Sequence, residues 1–256
     1  MFTIKNKKMY TGPRIVTKGL IMTLDAASPK SYPGSGTTWF GLVDPQFDFY
    51  NATLVNSPTH TANEEGYFTF DGIAQTTIQS GLPSLNLTID SYTMELWFKF
   101  ITLPTGNIDS DNGTGGPIYG ARYGSDYQLF AYAASGGESN LGVCYDDSRA
   151  NNNHRTNAAI SAGEWVQFVQ IGTPSDDGTT RGKFTYYVNG VLDTPATLSS
   201  DSNGYDMPTT FHIAFDDRYT TNYSNLAMSA IRRYNRELSA DEVAQNYEAL
   251  KNRFGL

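Results

Sequence analysis

Tyr92-Thr93-Met94-Glu95-Leu96-Trp97-Phe98-Lys99-Phe100 decides the fold. In an extended chain successive side chains point to opposite faces. Tyr92, Met94, Leu96, Phe98 and Phe100 therefore share one face, and Thr93, Glu95, Trp97 and Lys99 share the other. An alternation this long specifies a strand with one strongly apolar face, and such a face needs a second layer to cover it. The same period returns in Lys183–Gly190, where Phe184, Tyr186 and Val188 align, and in Phe211–Phe215. Glu164–Ile171 is apolar on both faces, as a central sandwich strand would be. Asn189-Gly190 supplies the positive φ angles of a tight hairpin, so the next strand starts near Val191. Upstream, Gly19–Leu24 is strand-like, and the turn-rich Asp25–Pro29 and Tyr32–Gly36 leave the sheet.

The chain ends differently. Leu238–Phe254 has the pattern of a helix, expected over residues 240–253. Ser239 and Glu242 have the spacing of a capping box, and Leu238 can staple to Val243 across the first turn. Val243, Tyr247, Leu250 and Phe254 form one apolar stripe to lie against the sandwich, and Gly255 suits the terminating position.

Composition agrees with a β fold. The 256 residues include 17 Tyr and 14 Phe, rings that suit half-buried pleated surfaces, and only 17% are charged. A chain this long buries a core without disulfide or metal staples. The formal charge of −8 excludes attraction to nucleic acid or an anionic membrane surface, both of which require basic patches. Cys144 is the single cysteine; its alternating context, Leu141–Tyr145, reads as a buried inert thiol. The first residues are basic but lack the apolar stretch of an export signal, and no run reaches the length of a membrane span. Residues 1–18 hold five of the 18 basic side chains and no acidic one, so they read as an arm ahead of one domain, residues 19–256. The polar stretches Leu103–Pro117 and Asp146–Asn157 read as loops at the ends of that domain.

Phe70-Asp-Gly72, Met94–Phe98, Glu164-Trp-Val166, Tyr187–Gly190 and Tyr234–Glu242, in this order, resemble laminin-G-like or concanavalin A-like jelly rolls over residues 19–256. The region Leu24–Gly34 is similar to versions common in tailed-phage virion proteins. The resemblance implies an all-β, two-sheet antiparallel jelly-roll sandwich with close termini, completed here by the one C-terminal α-helix. It does not imply a function, since this fold hosts lectins, hydrolases and structural modules.

Hydrolases of this architecture alternate carboxylates along one strand, because retaining glycoside hydrolysis needs two of them about 5–5.5 Å apart. Glu95 has only Thr93, Trp97 and Lys99 beside it, and reads as a polar strand residue near Lys99. His60, His154 and His212 are scattered; there is no Gly-x-Ser-x-Gly elbow, no His-Glu-x-x-His and no phosphate-binding glycine loop. No cofactor is required. Calcium is the one candidate ion, with Asp146, Asp147, Asp216 and Asp217 as loop ligands, although solvated acidic loops explain the same residues. Tyr119, Tyr123, Tyr127, Arg218, Tyr219 and Tyr223 stand among Gly, Asn and Asp, and are the candidate carbohydrate-stacking residues. The expectation is a non-enzymatic virion component, in capsid decoration or a tail or fibre, acting through contacts with capsid or tail subunits. Its arm residues Lys5, Lys7, Lys8, Arg14 and Lys18 would dock an acidic partner, with strand addition supplying affinity. A homo-oligomer is compatible with this reading. The alternative is an extracellular lectin, calcium-assisted, that adheres to host-surface glycans or polysaccharide.

Overall fold

Tyr92–Phe100 runs between Val166–Thr173 and Asn225–Tyr234, antiparallel to both. These three strands form the centre of a nine-stranded sheet in the computed structural model, which describes residues 12–43, 50–82, 89–104, 116–120, 122–123, 127–128, 130–133, 140–144, 153–174, 183–193, 196–197, 209–215 and 222–256. Lys183–Val188 and Val191–Leu192 extend the sheet on one side, Tyr67–Asp71 and Thr59–Thr61 on the other. Leu20–Asp25 pairs along the far half of Asn225–Tyr234, and Ala196–Thr197 along Lys183–Val188.

Two further sheets supply the opposite layer. Thr38–Trp39, Ala52–Val55, Thr76–Gln79, Phe211–Ile213 and Tyr119–Gly120 make one of five strands. Asn153–Ala159, Asn140–Cys144, Phe130–Ala133 and Gly116–Pro117 make one of four. The expected two-sheet antiparallel sandwich is present, with its second layer divided in this way. Met94, Leu96, Phe98, Phe168, Phe184, Leu226 and Met228 of the large sheet meet Trp39, Leu54, Leu141, Phe211 and Ile213 of the facing layer in one continuous core. Non-directional burial of this kind is the main stabilising term of a sandwich.

The other face of the large sheet is covered too. Alternation alone marks Thr93, Glu95 and Trp97 as the more polar side of their strand, yet all three are fully buried. The cover is the helix, Ala240–Leu250, prolonged by a 3₁₀ turn at Lys251–Arg253, which fills the span read from sequence. Its start is capped reciprocally: the Glu242 N–H donates to Ser239 Oγ at 3.2 Å, and the Ser239 N–H donates to the Glu242 carboxylate at 2.9 Å. Leu238 and Val243 join one apolar cluster, while Phe254 stacks 4.4 Å from Trp97.

Two local devices hold the edges. Asn189 and Gly190 adopt φ of 51° and 75°, closing the expected hairpin, and any side chain at 190 would collide with the Tyr247 ring. Just beyond that hairpin, the Asp193 carboxylate accepts the N–H groups of Asn157 at 2.7 Å and Ala158 at 2.9 Å, pinning the rim of the large sheet to the rim of the four-stranded one. The described part of the arm, residues 12–18, lies along the helix, with Val16 buried between helix and sheet.

Candidate binding face

Beneath the helix the chain buries charge. Glu95, 0% exposed, is bonded through both oxygens: Oε1 accepts from Trp97 Nε1 at 2.9 Å, Gln167 Nε2 at 3.0 Å and Arg232 at 3.2 Å, and Oε2 accepts from Asn246 Nδ2 at 2.8 Å. Glu95 is therefore the anchor of the helix, and its partner is Arg232, whereas Lys99 pairs with Glu65 at 3.9 Å. That corrects the reading of Glu95 as a polar strand residue beside Lys99. A buried carboxylate requires this many partners, because each lone pair left dry costs free energy. Asn246 extends the network to the Tyr234 hydroxyl at 2.9 Å, whose ionisation is pushed upward by burial and by the nearby Glu95 charge. At the helix end Arg253 reaches Asp25 at 2.9 Å and Ser229 Oγ at 2.6 Å.

Beside the C-terminal end of the helix the cover stops, leaving an open groove of about 480 Å³. Glu65, Lys99, Glu164, Trp165, Asn189 and Phe254 supply its chemistry. The Lys99 ammonium sits 4.7 Å from the Trp165 ring and 4.9 Å from the Tyr67 ring, attracted by the negative faces of both. Trp165 packs against Tyr67 and Phe254, and its indole N–H is buried with no hydrogen-bond partner among the described residues. Such a groove offers aromatic edges, one cation, two carboxylates and an amide. Together these suit a partner that is polar on one side and apolar on the other.

The residues singled out from sequence fall elsewhere. Tyr119 is 1% exposed, stacked 5.1 Å from Phe211, and its hydroxyl donates to Gln79 at 3.0 Å. It cannot stack on a sugar, and the assignment is corrected: the ring belongs to the sandwich core, where burial pushes its ionisation up and keeps the hydroxyl a donor. Tyr123 and Tyr127 sit opposite one another in a short antiparallel ladder. Tyr223 is half-buried, its ring stacked on Phe215 at 4.4 Å. Arg218, Tyr219 and the calcium candidates Asp146, Asp147, Asp216 and Asp217 lie outside the described residues. Among those that are described, no group of three or more His, Cys, Asp or Glu is placed to hold a metal ion. Lys5, Lys7 and Lys8 are also outside; Arg14 and Lys18 are exposed, with their backbone carbonyls bonded to Gln245 and Arg236. His60 is packed against Tyr32 and Phe68 with Nε2 2.9 Å from the Ala26 carbonyl. Among the groove residues Trp165 has a trace in the sequence: it belongs to a stretch, Glu164–Ile171, that is apolar on both faces and so is covered on both.

A model of the concanavalin A-like lectin/glucanases superfamily matches residues 73–244, and the chain belongs to that family. No curated protein matches it in sequence. Among solved structures it is similar to Trypanosoma rangeli sialidase in complex with 2,3-difluorosialic acid, with TM-score 0.66, 14% identity, and coverage of 94% of this chain and 35% of that one. It is also similar to the binding domain of Paraclostridial Mosquitocidal Protein 1, with TM-score 0.64, 12% identity, and coverage of 91% and 53%. The botulinum neurotoxin type G receptor binding domain gives TM-score 0.55, 13% identity, and coverage of 90% and 51%. The chain spans from a third to about half the length of these structures, and at such identities the likeness is one of fold. No described helix is long and apolar enough to cross a membrane.

Proposed function

We propose that the chain is a non-catalytic binding module, a surface component of a tailed-phage virion held by contacts with capsid or tail subunits. The observation that carries the reading is the covered outer face: helix and arm close it, Glu95 is bound on all sides, and the open remainder is a groove of mixed charge and aromatic edges. Such a surface grips a partner, and the carboxylate buried beneath it, Glu95, has both oxygens already bonded. Two toxin binding domains of the same fold, and the opening stretch Leu24–Gly34, support the reading. The arm docks by charge. Changing Lys5, Lys7, Lys8, Arg14 and Lys18 together to Gln keeps Val16 in place, and is expected to abolish co-sedimentation of the tagged chain with purified virions. Unchanged co-sedimentation ends the docking idea.

A second reading is favoured by the groove itself, where Trp165 and Tyr67 flank Lys99: it takes a host-surface glycan. A glycan array with wild-type protein and the Lys99→Met and Glu164→Gln variants tests it, since loss of signal in both variants is expected. Repeating the array with a chelator tests calcium at Asp146, Asp147, Asp216 and Asp217. Release of free sugar that stops in Glu95→Gln would overturn the non-catalytic reading.

A further inference from the structure

Residues 14–18 are held as a bound peptide would be. Side chains of the body read their backbone at four points. Gln245 Nε2 donates to the Arg14 carbonyl at 2.7 Å, the Val16 N–H donates to Asn246 Oδ1 at 2.8 Å, the Tyr234 hydroxyl donates to the Val16 carbonyl at 3.1 Å, and Arg236 Nε donates to the Lys18 carbonyl at 2.9 Å. The reading recurs at every second residue, the repeat of an extended chain. One side chain of the segment is buried: Val16, which joins Val169, Ile171, Tyr187, Tyr234 and Val243, while Arg14, Thr17 and Lys18 stay exposed.

The slot is organised by bonds that do not involve its occupant. Asn246 is fixed by Glu95 at 2.8 Å, and Arg236 by two 2.7 Å bonds to Glu242. A receptor held in its bound shape loses little on binding, which is the general source of affinity for short peptides. The segment joins the sheet through Gly19, at φ +76°, inside a turn that the Leu20 N–H closes by donating to the Thr17 carbonyl at 3.1 Å. Rotation at that glycine redirects the segment and leaves the strand behind it untouched. Charge works in the same sense: residues 1–18 are basic, and all 26 acidic side chains lie in the rest of the chain, so the arm of one copy is drawn to the body of another.

We propose that this slot is an exchangeable peptide groove that accepts residues 14–18 of a second copy, so that copies packed closely link by trading segments. The inference stands whether or not the virion reading does. In dilute solution the tethered segment wins, because a short linker gives an effective concentration on the order of millimolar. At comparable packing density the segment of a neighbour competes on equal terms.

The test uses the full chain with Val16→Asp, which empties its own slot, and a fluorescent synthetic peptide of residues 12–20. The variant is expected to bind the peptide at least about tenfold more tightly than the wild-type chain does, which keeps its slot filled. Adding Asn246→Ala to the chain, or Val16→Asp to the peptide, removes that binding. Concentrating the wild-type chain into the millimolar range gives dimers by light scattering, and the Val16→Asp chain stays monomeric. A folded Val16→Asp chain that ignores the peptide overturns the proposal. So does a wild-type chain that remains monomeric, or a dimer that forms equally well in the variant. Should Val16→Asp fail to fold, Val16→Ala takes its place with the same expectations.

Discussion

The two faces of the nine-stranded sheet are both buried, and they are held by different physics. On the inner face Met94, Leu96, Phe98 and Phe100 enter a core of apolar side chains, where contact is non-directional and area sets the stability. On the outer face of the same strand Thr93 is bonded to Arg236 and Leu238 in the segment leading into the helix, Glu95 to the helix and to neighbouring strands, and Trp97 is stacked beneath Phe254. The inner face makes the sandwich stable. The outer face fixes where one helix and one extended segment sit, because a buried carboxylate accepts few arrangements of partners.

The contrast can be broken by substitution. Phe98→Ala opens a cavity in the inner core and is expected to cost about 4 kcal/mol, read as a lower urea midpoint at unchanged slope. Glu95→Leu leaves the buried Arg232 with only the longer 3.9 Å contact to Asp25, for an expected cost of about 3 kcal/mol. Adding Arg232→Met should return most of that loss. If it does not, the outer face is held by packing after all, and the contrast fails.

Smaller effects sharpen the picture. Asn246→Ala is expected to cost about 2 kcal/mol and to speed tryptic cleavage after Arg14 and Lys18, since the segment loses its grip at Val16. Unaltered cleavage would mean that Asn246 does not hold it. The smallest effect lies at the solvent-facing start of the helix. The two bonds from Arg236 hold the Glu242 carboxyl down to about 2, below the ordinary 4.5. A depressed carboxyl contributes fully above its unfolded value and loses that contribution as pH falls through its folded one. Stability should therefore decline between about pH 5 and pH 2 by less than about 1 kcal/mol on this account, since solvent screens the pair. Glu242→Gln should remove that part of the slope in acid-unfolding curves.

How legible each region was follows from the range of the forces that shape it. The strand at 92–100 and its apolar face are local patterns, as are the capping box at Ser239 and Glu242 and the hairpin at Asn189-Gly190, and the structure keeps all of them. Tyr119 was misread because its immediate neighbours look like a loop; Phe211 and Gln79, which bury it, are distant in sequence. Asn246 left a fainter trace. It falls on the stripe of Val243 and Leu250, one turn from each, where a polar residue needs a buried partner, and nothing nearby in sequence names Glu95 as that partner. The groove was out of reach for a similar reason: it lies where the 3₁₀ turn at the helix end stops at Arg253, over strands that bring Lys99 and Trp165 together.

The pin at Asp193 has a consequence for life in a crowd. An open rim of backbone N–H groups invites any neighbouring chain to add a strand, and crowding turns that invitation into aggregation. By taking two such groups for its own carboxylate, Asp193 joins two rims into a seam, with a negative charge at the join. A neighbouring copy that came up to this seam would face a carboxylate in place of two free donors, and a strand would gain no purchase there.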